Sequence, residues 1–439
     1  WCPRRARGRP GSAGWRGEPL FTDDLLWLPY AVARYIDHTD DWSILDEVVP
    51  YIKSEPLQEG EWERYEQTIV SEQKGSVYEH CQRAIDKALS RVGEHGLPLI
   101  GVGDWNDGMN MVGAQGRGES VWLGWFLCDV LIRFARIAER KNDAALAVTY
   151  REWRDRFARA IDQHGWDGHW YRRAFTDDGR WIGSVENEEC RIDAIAQSWS
   201  VISAAGDREK AEIAMDSFDR ELVDRDLSVV RLLTPPFDKM TPSPGYIQGY
   251  PPGIRENGAQ YTHGVIWGIV AFSKLGRGEQ AYELFHMLNP LTHTRTPHEV
   301  RKYAGEPYVM AADVYTAPPH EGRAGWTWYT GSAGWMYQAG LEWILGIQRK
   351  GKRLFLRPCI PADWKEYTIR YRYGNTLYRI VVRNPSGQQT GVKALYINGV
   401  SVHTGNAYPS GALGGGTDIQ QAYVELVDDG KEHLIEVTM

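Results

Sequence analysis

The sequence concentrates acid–base side chains in one short segment. Asp104 and Asp107 stand three residues apart, with Trp105 and Asn106 between them and glycines on both sides that permit tight turns. Such a carboxylate pair can supply a general acid and an orienting group, or it can bind Ca²⁺. The EF-hand pattern fails, because Gln115 stands where a Glu ligand is required. A capped turn without chemistry is the alternative to a functional site.

A second polar segment contains Tyr250, Arg255, Glu256, Gln260 and His263, followed directly by an apolar helical pattern. Polar groups at a helix N-terminus favour an anion, because the free N–H groups and the helix dipole point there. A lone His beside an apolar helix is more often structural. The neighbouring Arg and Gln side chains favour the interpretation as a binding site.

The third segment, Thr330-Gly331-Ser332-Ala333-Gly334, opens another helical pattern and offers hydroxyls and backbone N–H groups suited to phosphate. It is not a Walker loop, since no Lys-Ser/Thr follows, and no βαβ unit surrounds it. The sequence also contains no HExxH zinc motif, no paired Cys/His spacing and no GxSxG elbow. By itself, therefore, the third segment is a weak signal.

Composition narrows the class of protein. The chain of 439 residues has a net charge of −8 and no basic block, which argues against nucleic acid or an anionic membrane surface as partner. No apolar run is long enough to cross a membrane. Five scattered cysteines predict free thiols in a reducing, cytoplasmic compartment. The 19 Trp and 23 Tyr favour sugar binding, with filling of a large core as the alternative.

Hydrophobic periodicity predicts a mainly α-helical protein with a β tail. One helix begins near Leu25 with Thr22 or Asp23 as its cap. Other helical patterns lie near residues 77–91, 119–139, 142–163, 192–204, 207–221, 258–274, 277–288 and 329–347. Paired helices joined by long polar loops predict an α/α toroid. From residue 351 alternating patterns with turns at Gly374-Asn375 and Asn398-Gly399 predict a small antiparallel β domain.

The three segments, which read GDWNDGMN, RENGAQYTH and WTWYTGSAGWMYQAGLEWILG, together resemble motifs of glycoside hydrolase family 94. Within that family, the residues that flank these motifs are most similar to the phosphorylase part of cyclic β-1,2-glucan synthases and to 1,2-β-oligoglucan phosphorylases. The resemblance implies an N-terminally truncated (α/α)6 barrel over residues 22–350 and a β domain over 351–439. Residues 1–21 are then expected to be an aberrant or disordered leader.

The resemblance also implies residue roles. Asp107 would be the general acid, and His263, Thr330 and Gly331 would bind phosphate. Substrate-binding positions would be Asp24, Trp105, Tyr250, Arg255 and Gln260. Inorganic phosphate would be a co-substrate, with no metal and no other cofactor. A homodimer is compatible with this family, and the segment could be the cytoplasmic part of a larger membrane-bound synthase.

The expected reaction is inverting phosphorolysis of β-1,2-linked glucans to α-glucose 1-phosphate. A phosphorylase needs only one committed carboxylic acid, because phosphate replaces the activated water of an inverting hydrolase. The sequence departs from the family in one place: Glu18-Pro19-Leu20 stands where an Arg-Thr-Arg motif is expected. Two alternatives therefore stay open, an inverting hydrolase with Glu256 as its base and a non-catalytic glucan-binding fragment.

Overall fold

The computed structural model describes residues 21–53, 69–402 and 423–439. The predicted leader lies outside these ranges apart from Phe21, and so do the positions where the Arg-Thr-Arg motif is expected. The described part of the chain is mainly helical up to residue 344 and forms strands from residue 347 onward.

Ten α-helices occur in the described residues. In chain order they are α1 (Asp24–Thr39), α2 (Val77–Leu89), α3 (Val121–Arg140), α4 (Ala144–Ala160), α5 (Ala194–Ile202), α6 (Arg208–Leu222), α7 (Thr262–Lys274), α8 (Gly278–Leu288), α9 (Pro297–Tyr303) and α10 (Thr330–Gln338). A π-helical turn, Ala339–Ile344, extends α10. Every helical pattern in the sequence is confirmed, whereas the short α9 was not predicted.

The helices form two layers. In the inner layer α1 packs on α3, α3 on α5, α5 on α7, and α7 on α10. In the outer layer α2, α4, α6 and α8 each pack against the helix that precedes them in the chain. The inner helices α3, α5 and α7 are buried along most of their length, as expected for helices that are apolar on nearly all sides. This arrangement positions the loops at the helix ends.

Side-chain caps define where several helices begin. The Ser120 hydroxyl accepts a hydrogen bond from Leu123 N at 3.0 Å at the start of α3, and the Asp193 carboxylate accepts one from Ile195 N at 2.9 Å at the start of α5. The start of α1 is not capped by a side chain in this way. Asp23 occupies the cap position, but its carboxylate accepts a hydrogen bond from the indole of Trp27.

Tryptophans from three inner helices fill the centre of the helical layer. Trp122, Trp199 and Trp267 are fully buried, and their ring centroids lie 5.3–6.2 Å apart. Aromatic pairs at this distance add to the free energy gained from burial. The high Trp content therefore serves the core in part, which was the alternative to sugar binding.

The strands, in chain order, are β1 (Val48–Lys53), β2 (Ile69–Ser76), β3 (Glu119–Ser120), β4 (Ala174–Phe175), β5 (Trp181–Ile182), β6 (Ile192–Asp193), β7 (Val223–Asp224), β8 (Val229–Val230), β9 (Leu233–Thr234), β10 (Gln260–Tyr261), β11 (Asp313–Val314), β12 (Ile347–Lys350), β13 (Arg353–Leu356), β14 (Glu366–Tyr373), β15 (Thr376–Arg383), β16 (Ala394–Ile397), β17 (Val400–Ser401), β18 (Tyr423–Glu425) and β19 (Glu432–Thr438). The antiparallel pair β1–β2 was not predicted.

The C-terminal strands form two sheets, β12-β13-β18 and β14-β15-β19-β16-β17. The hairpin turns predicted at Gly374-Asn375 and Asn398-Gly399 join β14 to β15 and β16 to β17. The sheets are antiparallel except that β15 pairs with β19 in parallel. Turn signals could not predict that pair, because its strands are distant in the chain and no tight turn joins them.

Replacing Trp267 by Ala should lower the free energy of unfolding by about 3–5 kcal/mol, because it removes the indole at the centre of the tryptophan cluster. Chemical denaturation monitored by circular dichroism measures this loss. Trp328→Ala is the control, since that side chain is 65% exposed and its loss should change stability by about 0.5 kcal/mol or less. Equal losses in the two variants would contradict the assignment of Trp267 to the core.

Candidate active site

The N-terminal ends of several inner helices meet at one end of the helical layer. Ahead of α1, Thr22 N donates to the carbonyl of Gly103 at 3.1 Å, which joins this end to the Asp104–Asp107 segment. At the start of α7, Thr262 N donates to the carbonyl of Ala312 at 2.8 Å. Just before α10, Tyr329 N donates to the carbonyl of Met310 at 3.0 Å. The three polar segments of the sequence therefore lie at this end.

The Asp104 carboxylate is fully buried and forms a two-pronged ion pair with Arg173. The two guanidinium nitrogens donate to Oδ1 and Oδ2 at 2.6 and 2.8 Å. Oδ2 also accepts a hydrogen bond from the Ser120 hydroxyl at 2.7 Å, and Oδ1 accepts one from Asn106 N at 3.1 Å. Asp104 therefore anchors the loop on which the other carboxylate of the segment, Asp107, lies.

Arg173 is the buried cation that faces two buried carboxylates, Asp104 and Asp193. Burial acts to lower the pKa of Arg173, but the carboxylates of Asp104 and Asp193 outweigh it and raise that pKa, so the guanidinium stays charged. Arg173 Nε lies 3.6 Å from Asp193 Oδ2. Burial raises the pKa of Asp193 to about 6. The Arg173 guanidinium and the N–H groups at the start of α5, which Asp193 caps, act in the opposite direction and favour the ionised carboxylate.

The loop that carries Asp107 is packed closely against a second polar segment. Asp107 begins the 3-10 turn Asp107–Met109 and is partly exposed. A Cβ on Gly108 would lie 2.7 Å from the Cβ of Ile247, so only glycine fits there without displacement. The amide oxygen of Asn110 accepts a hydrogen bond from Tyr246 N at 3.0 Å. These contacts join the Asp107 turn to the chain leading to Tyr250 and Arg255.

His263 links the first and third polar segments. Its ring centroid lies 5.3 Å from that of Trp105. On the other side its Nδ1 lies 3.5 Å from the point where a Cβ on Gly331 would be placed. The imidazole therefore lies beside the start of α10, at the distance of an ordinary van der Waals contact from position 331. Predicted site residues from three separate parts of the sequence thus come together at His263.

A tyrosine pair fixes the starts of α7 and α10 relative to each other. The hydroxyls of Tyr261 and Tyr329, which immediately precede the two helices, are 3.0 Å apart and hydrogen-bonded. Thr330 follows as the first residue of α10 and is exposed. The Thr330 hydroxyl and the backbone at Gly331 are therefore held at the same helix end as His263, in a geometry suited to an anion.

Arg255 lies between two aromatic rings. Its guanidinium carbon is 5.1 Å from the ring centroids of both Tyr250 and Trp326. Its Nε lies 3.4 Å from Glu256 Oε2, and its backbone N donates to Asp313 Oδ2 at 2.9 Å. The backbone φ of Arg255 is +52°, so a tight left-handed turn sets the direction of the side chain.

The two remaining predicted residues occupy different environments. Asp24 is the first residue of α1, next to the Thr22 contact with Gly103, and is partly exposed at the site end. Gln260 is buried, and its amide oxygen accepts a hydrogen bond from Val230 N at 3.2 Å. Gln260 therefore joins the start of α7 to β8 and is set deeper than the other predicted residues.

Three residues with a part in the site were not found from sequence. Arg173 holds Asp104, Asp313 holds the Arg255 turn, and Trp326 covers the Arg255 guanidinium. Arg173 and Asp313 lie 69 and 58 residues from their partners, so no local spacing could reveal them. Trp326 opens the third family motif, and its position beside Thr327 and Trp328 is the sequence feature that could have indicated its role.

Among the described residues, no three His, Cys, Asp or Glu side chains gather where they could hold a metal ion. The described helices include none long and apolar enough to span a bilayer.

These features define the catalytic domain of an enzyme that acts on carbohydrate. The partly exposed carboxyl group of Asp107 stands two residues after Trp105, and His263 lies beside the helix start that carries Thr330 and Gly331. Residues 14–346 match the family model described as the glycosyl hydrolase 94 superfamily, catalytic domain. The chain belongs to this family, glycoside hydrolase family 94, as the motifs in its sequence predict.

Curated relatives agree with this family. The chain is similar to cyclic beta-(1,2)-glucan synthase NdvB of Rhizobium meliloti, with 47% identity over 84% of this chain and 13% of the relative. It is similar to solabiose phosphorylase of Paenibacillus borealis, with 32% identity over 96% of this chain and 50% of the relative. It is also similar to 1,2-beta-oligoglucan phosphorylase of Listeria innocua, with 23% identity over 78% of this chain and 32% of the relative. The chain thus spans half or less of the length of these relatives.

Replacing Arg173 by Met should lower the free energy of unfolding by about 3–5 kcal/mol, because Asp104 and Asp193 would be left as buried charges without a cation. Thermal and urea unfolding measure the change. The control is Arg208→Met, which removes an arginine that is 64% exposed and should alter stability by about 0.5 kcal/mol or less. A loss in Arg173→Met no larger than the control's would refute the anchoring role.

A pH series should reveal the burial of Asp313, whose pKa is raised from 3.8 to about 6 chiefly by desolvation. A raised carboxyl pKa stabilises the fold at low pH, and this contribution is lost as the pH rises through the folded-state pKa. Relative to Asp313→Asn, whose amide oxygen can still accept from Arg255 N, the wild type should lose about 2 kcal/mol of stability between pH 4.5 and 7. Urea unfolding at each pH measures this difference, and parallel profiles would show that Asp313 titrates normally.

Proposed function

We propose that this chain carries the catalytic site of an inverting phosphorylase that cleaves β-1,2-linked glucans with inorganic phosphate. The products are α-glucose 1-phosphate and a glucan shortened by one glucosyl unit. We also propose that its helices belong to the (α/α)6 barrel implied by the family resemblance. No cofactor other than the co-substrate phosphate is part of this proposal.

The observation that carries the proposal is the position of His263. Its ring contacts Trp105, which stands two residues before Asp107, and it faces Gly331 at the exposed start of α10. A sugar lying near Trp105 and a phosphate at the α10 start would therefore be neighbours. That adjacency is what a direct displacement by phosphate requires.

In the proposed reaction, a phosphate oxygen attacks the anomeric carbon of the non-reducing terminal glucosyl unit and forms the new C–O bond. The bond from that carbon to the bridging oxygen breaks, and Asp107 gives its proton to the departing oxygen. Attack from the face opposite the leaving group converts a β-linkage into an α-phosphate. His263, Thr330 and Gly331 bind the phosphate, whereas Asp24, Trp105, Tyr250, Arg255 and Gln260 bind or support the sugar.

The arrangement of carboxylates favours phosphate over water as the nucleophile. Glu256, the candidate base of a hydrolase, is buried next to the Arg255 guanidinium. Asp104 is engaged by Arg173. Asp107, the acid implied by the family resemblance, is partly exposed, and a phosphorylase needs no second carboxylate to activate water. The β-1,2 linkage rests on similarity to proteins named as a cyclic beta-(1,2)-glucan synthase and a 1,2-beta-oligoglucan phosphorylase.

The test incubates the chain with β-1,2-glucooligosaccharides, with and without phosphate, and measures glucose 1-phosphate and free glucose. We expect glucose 1-phosphate only when phosphate is present. Asp107→Asn should reduce its release at least 100-fold, because the amide cannot donate the proton, in line with the 10²–10⁴-fold typical of acid catalysis. Asp155→Asn on the outer helix α4 is the matched control and should retain wild-type activity.

Each other outcome points to a different function. Free glucose released without phosphate would indicate a hydrolase, and loss of that activity in Glu256→Gln would identify its base. Oligosaccharide binding by calorimetry with no product under either condition would indicate a glucan-binding fragment. Phosphorolysis that survives in Asp107→Asn would overturn the assignment of the acid.

A further inference from the structure

A cavity of about 360 Å³ lies at the opposite end of the inner helices from the candidate active site. Its walls come from the middle and C-terminal parts of α1, α3 and α7, from α4, from the end of α5 and the residues that follow it, from the second half of α10 with its π turn, and from β12. We call it the basal cavity. Its volume is within the range of small-molecule sites. None of the predicted catalytic or phosphate-binding residues lines it.

The walls of the basal cavity carry an excess of positive charge. Seven Lys and Arg side chains line it against three carboxylates, which leaves four positive charges in excess. The three carboxylates are already engaged. Glu342 pairs with Arg34 at 3.0 Å, and Arg133 pairs with Asp129 at 2.7 Å and with Asp37 at 3.3 Å. Arg136 also lies 3.9 Å from Asp37, whereas the other four wall cations form no ion pair with these three carboxylates in the described part of the chain.

Lys274, Arg349 and Lys350 are the wall cations that matter most. Within the described ranges no carboxylate lies within 4.0 Å of any of them. The Lys274 ammonium lies 5.2 Å from the ring centroid of Trp343, and the Arg349 guanidinium donates to the carbonyl of Gly351. Burial lowers the pKa of both Lys274 and Lys350 to about 8. Partly buried ammonium groups without a counter-ion destabilise a fold, so a bound anion would stabilise this one.

Two aromatic side chains also border the cavity, and the Arg133 guanidinium lies 5.6 Å from the ring centroid of one of them, Tyr30. Trp335 and Tyr30 line it alongside the cations. Aromatic faces beside hydrogen-bonding groups suit a ring with an apolar face and a polar edge, such as a sugar. Lysine and arginine together suit a phosphate dianion, which can accept hydrogen bonds from several donors at once.

We propose that the basal cavity is a second ligand site that binds an organic phosphate of monosaccharide size, with its phosphate held by Lys274 and Lys350. This site is separate from the phosphate-binding residues of the proposed catalytic reaction and does not depend on that reaction being correct. Its rival is a purely structural role, in which the cations only compensate the negative ends of the converging helix dipoles.

The test is isothermal titration calorimetry with glucose 6-phosphate on the full chain, in a His263→Asn background that weakens phosphate binding at the candidate active site. We expect one equivalent to bind, with an affinity that falls as NaCl is raised. Lys274→Met combined with Lys350→Met should weaken binding at least tenfold, since two charge-assisted contacts are lost. Lys431→Met, at a side chain that is 76% exposed on the C-terminal sheet, is the control and should bind as the parent does.

Thermal unfolding of each variant distinguishes a loss of binding from a loss of folding. Methionine has a similar length to lysine without its charge, so the double variant should unfold at the same temperature as the parent or higher. If the double variant does not fold, Lys274→Met alone carries the same test. Absence of binding, or binding that the lysine variants leave unchanged, would overturn the proposal in favour of the structural role. Inorganic phosphate binding as tightly as glucose 6-phosphate would overturn the sugar part of the proposed ligand.

Discussion

A buried ion pair between Asp104 and Arg173 holds the candidate active site in place. Neither side chain reaches solvent, so the pair is favourable only because the two-pronged geometry and the Ser120 hydrogen bond satisfy the charges together. Ser120 also caps α3, which ties an inner helix to the site loop. Trp105 and Asp107 follow directly in the chain, and their positions therefore depend on this pair.

The tryptophan core extends this constraint to the other side of the site. Trp267 contacts Trp122 and Trp199 in the core, and at the site end it also contacts Trp105 and His263. Close-packed aromatic rings leave little room for movement, because small shifts lose many contacts at once. Tryptophan thus fills the core and, at the end of the core that meets the candidate active site, forms the surface against which a sugar is proposed to bind.

The two ends of the inner helices differ in electrostatic character. At the N-terminal end, free N–H groups and the helix dipoles favour an anion, and the proposed phosphate site at His263 and Gly331 lies there. At the C-terminal end the dipoles favour cations, and Lys274, at the end of α7, lies there with Arg349 and Lys350 of β12. The inner helices therefore carry a proposed anion site at each end, one built from oriented backbone and the other from concentrated side-chain charge.

The sequence by itself determined every helix except the short α9, the C-terminal hairpins and the three polar segments, because each depends on short-range spacing or on a turn such as Asn398-Gly399. Its motifs also determined the family. Only the tertiary structure decided which carboxylate of the Asp104–Asp107 pair is the anchor, since the guanidinium that makes the difference lies 69 residues away at Arg173. The same holds for the parallel pairing of β15 with β19 and for the basal cavity, where side chains distant in the chain meet because packing, not spacing, brings them together.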